Sequence, residues 1–91
     1  MTRIVVKTLL WDDWNREHIK KHNVTVKEIE IAVKNIIWHK KTRGMRYLAA
    51  GRSGTRILSI IIRRKERTTY YLVTARDSNK EERKKLYERE I

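Results

Sequence analysis

The chain has 91 residues, with 23 Lys plus Arg against 11 Asp plus Glu, which leaves a formal charge of +12 at pH 7. It contains no cysteine and no proline, which excludes a disulfide scaffold, thiol catalysis and a cysteine-ligated metal site. A chain of this length forms one domain, residues 1–91. Its longest near-continuous apolar run, residues 57–62, falls far short of the ~20 residues that a membrane span needs. The N-terminal residues lack the small-residue cleavage signature of a secretory signal. We therefore expect a small basic domain that is cytoplasmic and has no membrane partner.

The excess of positive charge indicates what kind of partner the protein binds, and it does not indicate the fold. Nucleic acid is the commonest partner of such a chain, because each neutralised phosphate releases condensed counterions. An acidic protein partner is a second interpretation, and the charged surface of a heat-adapted protein is a third. The third interpretation predicts balanced charge, which this chain lacks. We therefore favour nucleic acid, with or without an acidic protein partner.

The predicted elements begin with a strand and a helix. Residues 4–11 are β-rich and apolar, which predicts a strand buried on at least one face. Asp12 or Asp13 provides an N-cap for a helix that runs to about His22. Asn23 is suited to end this helix, because asparagine tolerates the left-handed conformation.

A second helix and a loop come next. Thr25 and Glu28 form a capping box at the start of the helix. Apolar residues then recur at helical spacing, so we expect this helix to pack on a core. Residues 39–46 are basic and contain a glycine, which predicts the main loop of the chain. The apolar stripe consists of Val26, Ile29, Ala32, Val33 and Ile36.

Three strands and a charged helix complete the predicted order. The strands are residues 46–51, 56–63 and 68–75, with a tight turn at Ser53-Gly54 and a polar turn at residues 64–67. A second capping box then begins a C-terminal helix. That box consists of Ser78 and Glu81, and the apolar residues available for docking the helix are Leu86, Tyr87 and Ile91.

This order of elements predicts an α+β fold. The sheet is mainly antiparallel and packs against the N-terminal helix pair, with the charged helix at the C-terminus. The other sheet face is then partly open. On a basic domain, an open sheet face is where we expect a large ligand to bind.

Two histidines of the first helix are candidate site residues. His18 and His22 are one turn apart, on the same ridge as Trp14. In one interpretation, a histidine packs beside the tryptophan and forms local hydrogen bonds. In another, the pair acts as acid, base or phosphate ligand, because imidazole titrates near neutral pH and Lys20 and Lys21 are adjacent. The segment lacks the glutamate and the further ligands of a zinc site, so we predict no metal.

Arginines crowd the strand half of the chain. Arg46, Arg56 and Arg76 lie within strands or at their ends, where a rigid backbone aims each guanidinium. We predict a functional role for these three, because the planar fork fits two phosphate oxygens. At the tip of the last hairpin, a solvated turn that resists aggregation is favoured over a phosphate clamp. The cations of that tip are Arg63, Arg64, Lys65 and Arg67.

Aromatic and glycine residues give weaker signals. Trp11, Trp14 and Trp38 are more typical of a core than of base-stacking platforms. The chain has three glycines and no glycine-rich phosphate loop, so we expect no nucleotide cofactor and no other cofactor.

Two blocks in the first two-thirds of the sequence suggest a relationship. The first comprises residues 11–15, WDDWN, and residues 18–24, HIKKHNV, followed by the acidic second helix. The second is the hairpin of residues 51–58, in which Arg56 and Leu58 enter a β-rich run.

A third block completes the pattern. It is Thr74-Ala75-Arg76, followed by Glu-Glu-Arg at residues 81–83 and then Tyr87. In this order and spacing, over nearly the whole chain, the three blocks resemble the BrnT toxin family of bacterial and archaeal type II toxin–antitoxin systems. That family usually has glycine at the position of Asn23 and serine at the position of Thr74.

The resemblance implies a RelE-like fold, RNA cleavage that arrests translation and a co-transcribed BrnA-type antitoxin. The leading hypothesis is therefore a metal-independent ribonuclease toxin that is neutralised by an antitoxin with an acidic face, in a toxin–antitoxin hetero-oligomer. Two other functions remain open: a basic nucleic-acid-binding module without catalysis, and a toxin of the same fold that inhibits a protein target, as ParE-type chains inhibit gyrase.

Cleavage of RNA without a metal requires three kinds of group. A base takes the 2′-hydroxyl proton, cations stabilise the charge that develops on the phosphorane, and an acid protonates the leaving oxygen. For proton transfer the sequence offers His22 first and His18 second. For charge stabilisation it offers Arg46, Arg56 and Arg76. The further predicted RNA-binding residues are Lys21, Arg43, Arg52 and Arg64.

Overall fold

The computed structural model describes residues 4–90 as one five-stranded sheet with three helices. The elements in chain order are β1 (Thr8–Leu10), α1 (Asp13–Lys20), α2 (Val26–Lys34), β2 (Ile36–Lys41), β3 (Arg46–Ser53), β4 (Arg56–Arg64), β5 (Thr69–Asp77) and α3 (Lys80–Glu90). The strand order across the sheet is β1-β5-β4-β3-β2. Strands β2 to β5 form an antiparallel meander, and β1 is parallel to β5. The predicted α+β fold with a mainly antiparallel sheet is confirmed.

The ends of α1 follow the sequence signals. Asp12 is the N-cap, and its carboxylate accepts the backbone N–H of Asn15 at 2.9 Å. The buried Asn15 side chain donates to the carbonyls of Leu10 and Leu72 at 3.0 Å each, which ties α1 to β1 and β5. Asn23 has a φ of 55°, the left-handed conformation expected of it. The helix itself ends at Lys20, two residues before the predicted end at His22.

Helix α2 lies unusually close to the sheet. Its predicted capping box is present, because the Thr25 hydroxyl accepts the N–H of Glu28 while the Glu28 carboxylate accepts the N–H of Thr25. At the other end of the helix, Gly51 of β3 approaches so closely that a Cβ there would overlap the carbonyl oxygen of Ala32. The helix ends at Lys34, and Asn35 accepts a hydrogen bond from the backbone of Arg52 at 3.3 Å.

Residues 36–41 form a strand, which corrects the prediction that Ile36 belongs to the second helix and that residues 39–46 form a loop. The run is rich in β-branched and aromatic residues and pairs antiparallel with β3, with Trp38 opposite Ala50. The connection is a tight turn at residues 42–45, in which Gly44 and Met45 both have positive φ. The sheet therefore gains a strand that the sequence analysis did not predict.

Helix α3 begins one residue later than its predicted capping box. The N-terminal box pairs Asn79 with Glu82, each side chain accepting the other's backbone N–H at 2.9 Å. Ser78 is instead buried, with its hydroxyl 2.7 Å from that of Ser59. Of the three apolar residues expected to dock this helix, Leu86 is fully buried and Tyr87 is half exposed, while Ile91 lies outside the described residues.

The two faces of the sheet are covered unequally. Helices α1 and α2 cover one face, over a core that includes Ile60, Leu72 and Tyr70. Helix α3 covers one end of the other face, where Leu86 packs with Trp38. We call the uncovered remainder the open face; it carries Arg46, Leu48, Ile61, Arg63, Tyr71 and Thr74, which stand beside one another in the strand register. Within residues 4–90 no helix has the length and apolarity needed to cross a membrane.

The close approach of α2 to β3 makes Gly51 a sensitive position. We expect Gly51→Ala to lower the free energy of unfolding by about 3 kcal/mol, since the methyl group overlaps the Ala32 carbonyl. Gly44→Ala is the matched control, because Gly44 has a φ of +65° but open space around it. That variant should lose about 1 kcal/mol through backbone strain alone. Urea denaturation followed by tryptophan fluorescence measures both, and equal losses would contradict the close approach.

Candidate active site and basic surface

The histidine pair lies at the C-terminal end of α1, with His18 in the last turn of the helix and His22 in the turn that follows it. The Trp14 and His18 rings are stacked, with centroids 4.7 Å apart and planes inclined by 10°. The His22 ring meets that of His18 edge-on at 5.7 Å. The opposite side of the helix buries Asn15 and Ile19. Four-residue spacing therefore places three aromatic rings in one surface ridge.

This arrangement suits proton transfer. His22 is exposed and His18 is half buried, and within residues 4–90 neither imidazole has a side-chain hydrogen bond or an ion pair. Their nitrogens are therefore able to exchange protons with a ligand. Two adjacent imidazoles are able to supply a base and an acid to the same reaction. The exposed Lys21 lies between them in sequence and provides a cation.

The open face carries a second basic group. Arg46 of β3 is directly opposite Arg63 of β4, and across residues 4–90 no carboxylate pairs with either. The Arg63 guanidinium lies over the Tyr71 ring, 5.6 Å from its centroid, and its buried Nε has no hydrogen-bond partner among the described residues. Like charges placed directly across a sheet destabilise it, so this pair is suited to bind an anion.

The sequence pattern predicts that Arg63 lies in a solvated turn, and no motif marks Tyr71 as a site residue. The structure instead places Arg63 inside β4 and on the open face. The Tyr71 hydroxyl donates to the Asp12 carboxylate at 2.9 Å. Burial and this hydrogen bond raise the pKa of Tyr71. Alternation along residues 57–63 was the available signal, because it puts Arg63 on the same face as Ser59 and Ile61.

Arg76 is on the same sheet face as Arg46, but its guanidinium is paired with a carboxylate. Its guanidinium donates to both oxygens of the Glu82 carboxylate, at 2.7 and 2.9 Å. Glu82 also accepts from the Ser59 hydroxyl at 2.8 Å, and it is almost fully buried. The Arg76 hydrogen bonds lower the pKa of Glu82 to about 2, helped by those of Asn79 and Ser59. Arg76 therefore anchors α3 to the sheet.

Arg56 points to the face that α1 and α2 cover. Its Nε donates to Asp77 at 2.7 Å, and its Nη1 donates to Glu28 at 2.9 Å and to the carbonyl of Asn23 at 2.8 Å. The hydrogen bond to Asp77 and then the one to Glu28 raise the pKa of Arg56. The structure therefore does not bring Arg56 together with Arg46 and Arg76, and Arg56 joins the helix pair to the sheet.

The predicted RNA-binding residues are spread over the surface. Arg43 is exposed in the turn between β2 and β3, Arg64 ends β4 with its Nε 3.4 Å from the Glu66 carbonyl, and Lys21 follows α1. Arg52 is held by Glu90, with its Nη2 donating at 2.8 Å. Among residues 4–90, no group of three His, Asp or Glu side chains is placed to hold a metal ion.

Comparisons with known proteins support the fold. No protein-family model matches the chain, and no curated protein matches its sequence. The structure is similar to the 1.1 Å crystal structure of the Brucella abortus ribonuclease toxin BrnT, with a TM-score of 0.65 and 19% sequence identity. The match covers 80% of this chain and 97% of that chain. The chain therefore has a BrnT-type toxin fold, as the sequence resemblance implies.

The Arg76–Glu82 pair should make stability depend on acid pH. Because the pKa of folded Glu82 is about 2 against an ordinary 4.5, its stabilisation is complete above pH 4.5 and is lost as the pH falls towards 2. A tenfold change in acidity is worth ~1.4 kcal/mol, so the hydrogen bonds from Arg76, Asn79 and Ser59 together favour the ionised carboxylate by on the order of 3 kcal/mol. Urea denaturation of Glu82→Gln should therefore show lower stability at pH 6 and a flatter decline in acid. The exposed Glu81→Gln is the control, and an unchanged decline in Glu82→Gln would contradict the assignment.

Proposed function

We propose that this protein is the ribonuclease toxin of a toxin–antitoxin pair, and that it cleaves RNA in the cytoplasm without a metal ion. The observation that carries the proposal is the adjacent, accessible pair His18 and His22 on a fold shared with a ribonuclease toxin. The charge of +12 supports a polyanionic substrate.

The cleavage step uses the nucleophile of the RNA itself. One imidazole of the pair takes the proton of a ribose 2′-hydroxyl, and the 2′-oxygen forms a bond to the neighbouring phosphorus. The bond from phosphorus to the 5′-oxygen then breaks, and the second imidazole donates a proton to that leaving oxygen. Lys21 stabilises the charge on the phosphorane. The products are a 2′,3′-cyclic phosphate and a free 5′-hydroxyl.

The arginines take two different parts in this proposal. Arg46 and Arg63 bind the RNA backbone on the open face, since neither guanidinium is paired with a carboxylate within residues 4–90. Arg56 and Arg76 stabilise the fold, because their guanidinium groups are paired with carboxylates. A nucleic-acid-binding module without catalysis is the second candidate, and the same Arg46–Arg63 pair favours it.

We expect His22→Ala to lower the rate of RNA cleavage by about 10²–10⁴-fold, the usual cost of losing one acid–base group. The wild type should cut a long single-stranded RNA in excess EDTA and leave 2′,3′-cyclic or 3′-phosphate ends, because both proton transfers are made by side chains. Circular dichroism checks that the variant folds. His39→Asn is the matched control, since His39 lies on β2 and outside the ridge. Cutting that EDTA abolishes and a divalent ion restores would overturn the mechanism, and an intact RNA would favour the binding module.

The antitoxin is expected to be an acidic-faced protein of the BrnA type, and we expect an acidic segment of it to cover the open face. Arg46→Glu should weaken toxin–antitoxin binding by about tenfold or more, because a like charge then faces that segment. Lys34→Glu is the matched control, since Lys34 is exposed on α2, over the other face of the sheet. Isothermal titration with the product of the neighbouring gene measures the difference. Equal losses in the two variants, or an antitoxin seated on α1 and α2, would contradict the covering of the open face.

A further inference from the structure

A shallow groove runs along α1 beside the histidine pair. It has a volume of about 440 Å³ and is lined by Asp13, Trp14, Glu17, His18 and Lys21. Asp13, Glu17 and Lys21 are spaced by four residues and so form a second ridge next to the aromatic one. The groove is the channel between the two ridges, and one of the proposed catalytic imidazoles forms part of its wall.

The groove is acidic at one end and basic at the other. Asp13 lies at the start of α1 and is exposed, and no side chain among residues 4–90 bonds to its carboxylate. Glu17, one turn on, has one oxygen 2.9 Å from the Lys20 Nζ. Lys21 and His18 lie towards the other end. A ligand that fits this pattern carries hydrogen-bond donors at one end and an anion at the other.

Trp14 supplies an apolar platform in the same groove. Its side chain is 58% exposed, whereas Trp38 is 5% exposed. One face of the Trp14 ring is stacked on His18, and its large exposure leaves much of the remaining ring surface accessible. Exposed aromatic rings of this kind bind nucleobases by stacking. The platform lies one helical turn from His18, next to Asp13 in sequence.

We infer that this groove selects a guanine base adjacent to the scissile phosphate, an inference that rests on the proposed ribonuclease function. Guanine presents two neighbouring donors, N1–H and the N2 amine, which a single carboxylate accepts together. Adenine, cytosine and uracil each place an acceptor beside their donor, and a carboxylate, which only accepts, repels it. Asp13 takes the guanine edge, Trp14 stacks on the ring, and Lys21 and His18 hold the phosphate.

Binding tests the groove independently of catalysis. In ¹⁵N-labelled protein, 3′-GMP should shift the indole N–H signal of Trp14, which the Trp14→Phe variant identifies. Its affinity should exceed those of 3′-AMP and 3′-IMP at least about tenfold, because inosine lacks the N2 amine. Asp13→Asn should remove this preference, whereas the exposed Glu81→Gln should keep it. Equal affinities for the three nucleotides, or no shift at Trp14, would overturn the inference.

Cleavage provides the second measurement. The wild type should cut a long single-stranded RNA mainly beside guanosine, and replacing guanosine by inosine should lower the rate about tenfold or more. Trp14→Ala should lose this preference and Trp14→Phe should keep it. Cuts spread evenly over the four bases would overturn the inference and leave the ribonuclease function intact. RNA left uncut while 3′-GMP is selected would support the groove and overturn the proposed function.

Discussion

The position of α3 on the second face of the sheet depends on the hydrogen bonds that the Glu82 carboxylate accepts. It lies almost fully buried between α3 and the sheet and accepts hydrogen bonds from the Arg76 guanidinium, the Ser59 hydroxyl and the backbone of Asn79. Helix α3 buries one large apolar side chain, Leu86, so apolar packing alone gives it little hold. Removing one partner from such a buried pair leaves an uncompensated charge, which costs several kcal/mol. The polar network therefore decides where α3 lies and how much of the face remains open.

The placement of carboxylates also explains where the positive charge is left. Three arginines form ion pairs with carboxylates: Arg56 pairs with Glu28 and Asp77, Arg76 with Glu82, and Arg52 with Glu90. These pairs join different elements of the fold, and their carboxylates are not available to pair with other cations. Arg46 and Arg63 on the open face and Lys21 at the end of α1 are left without such partners among the described residues.

Local signals predicted the parts of the fold that local interactions determine. The N-cap at Asp12, the capping box of Thr25 with Glu28 and the left-handed Asn23 depend on a few neighbouring residues, and all three are present. The strand β2 was missed because Ile36 continues the helical spacing of α2. The helix nevertheless ends before Asn35, whose backbone leaves the helical region with a φ of −126° and whose carbonyl accepts the N–H of Arg52 in β3.

The candidate site was harder to predict than the fold, because it depends on register. Whether an arginine of a strand points to the open or the covered face follows from the pairing of that strand, and one residue of slip reverses it. The pairing of Ser53 with Arg56 and of Arg46 with Arg63 sends Arg56 to the covered face and leaves Arg46 on the open one. The contact between His18 and His22 does not depend on strand register, because the two residues are four apart at the end of α1 and in the turn that follows it.

Asp12 links the two surfaces that the proposed function requires. Its carboxylate caps α1, at whose C-terminal end the histidine pair lies, and it accepts a hydrogen bond from the hydroxyl of Tyr71, whose ring lies under Arg63. One side chain thus fixes both the start of the histidine helix and the edge of the open face. The hydrogen bond from the backbone N–H of Asn15 lowers the pKa of Asp12, and that from Tyr71 lowers it further. In the proposed function, an RNA strand held by Arg46 and Arg63 leaves the sheet beside Tyr71 and reaches α1 at Asp13 and Trp14, where the groove to the histidine pair begins.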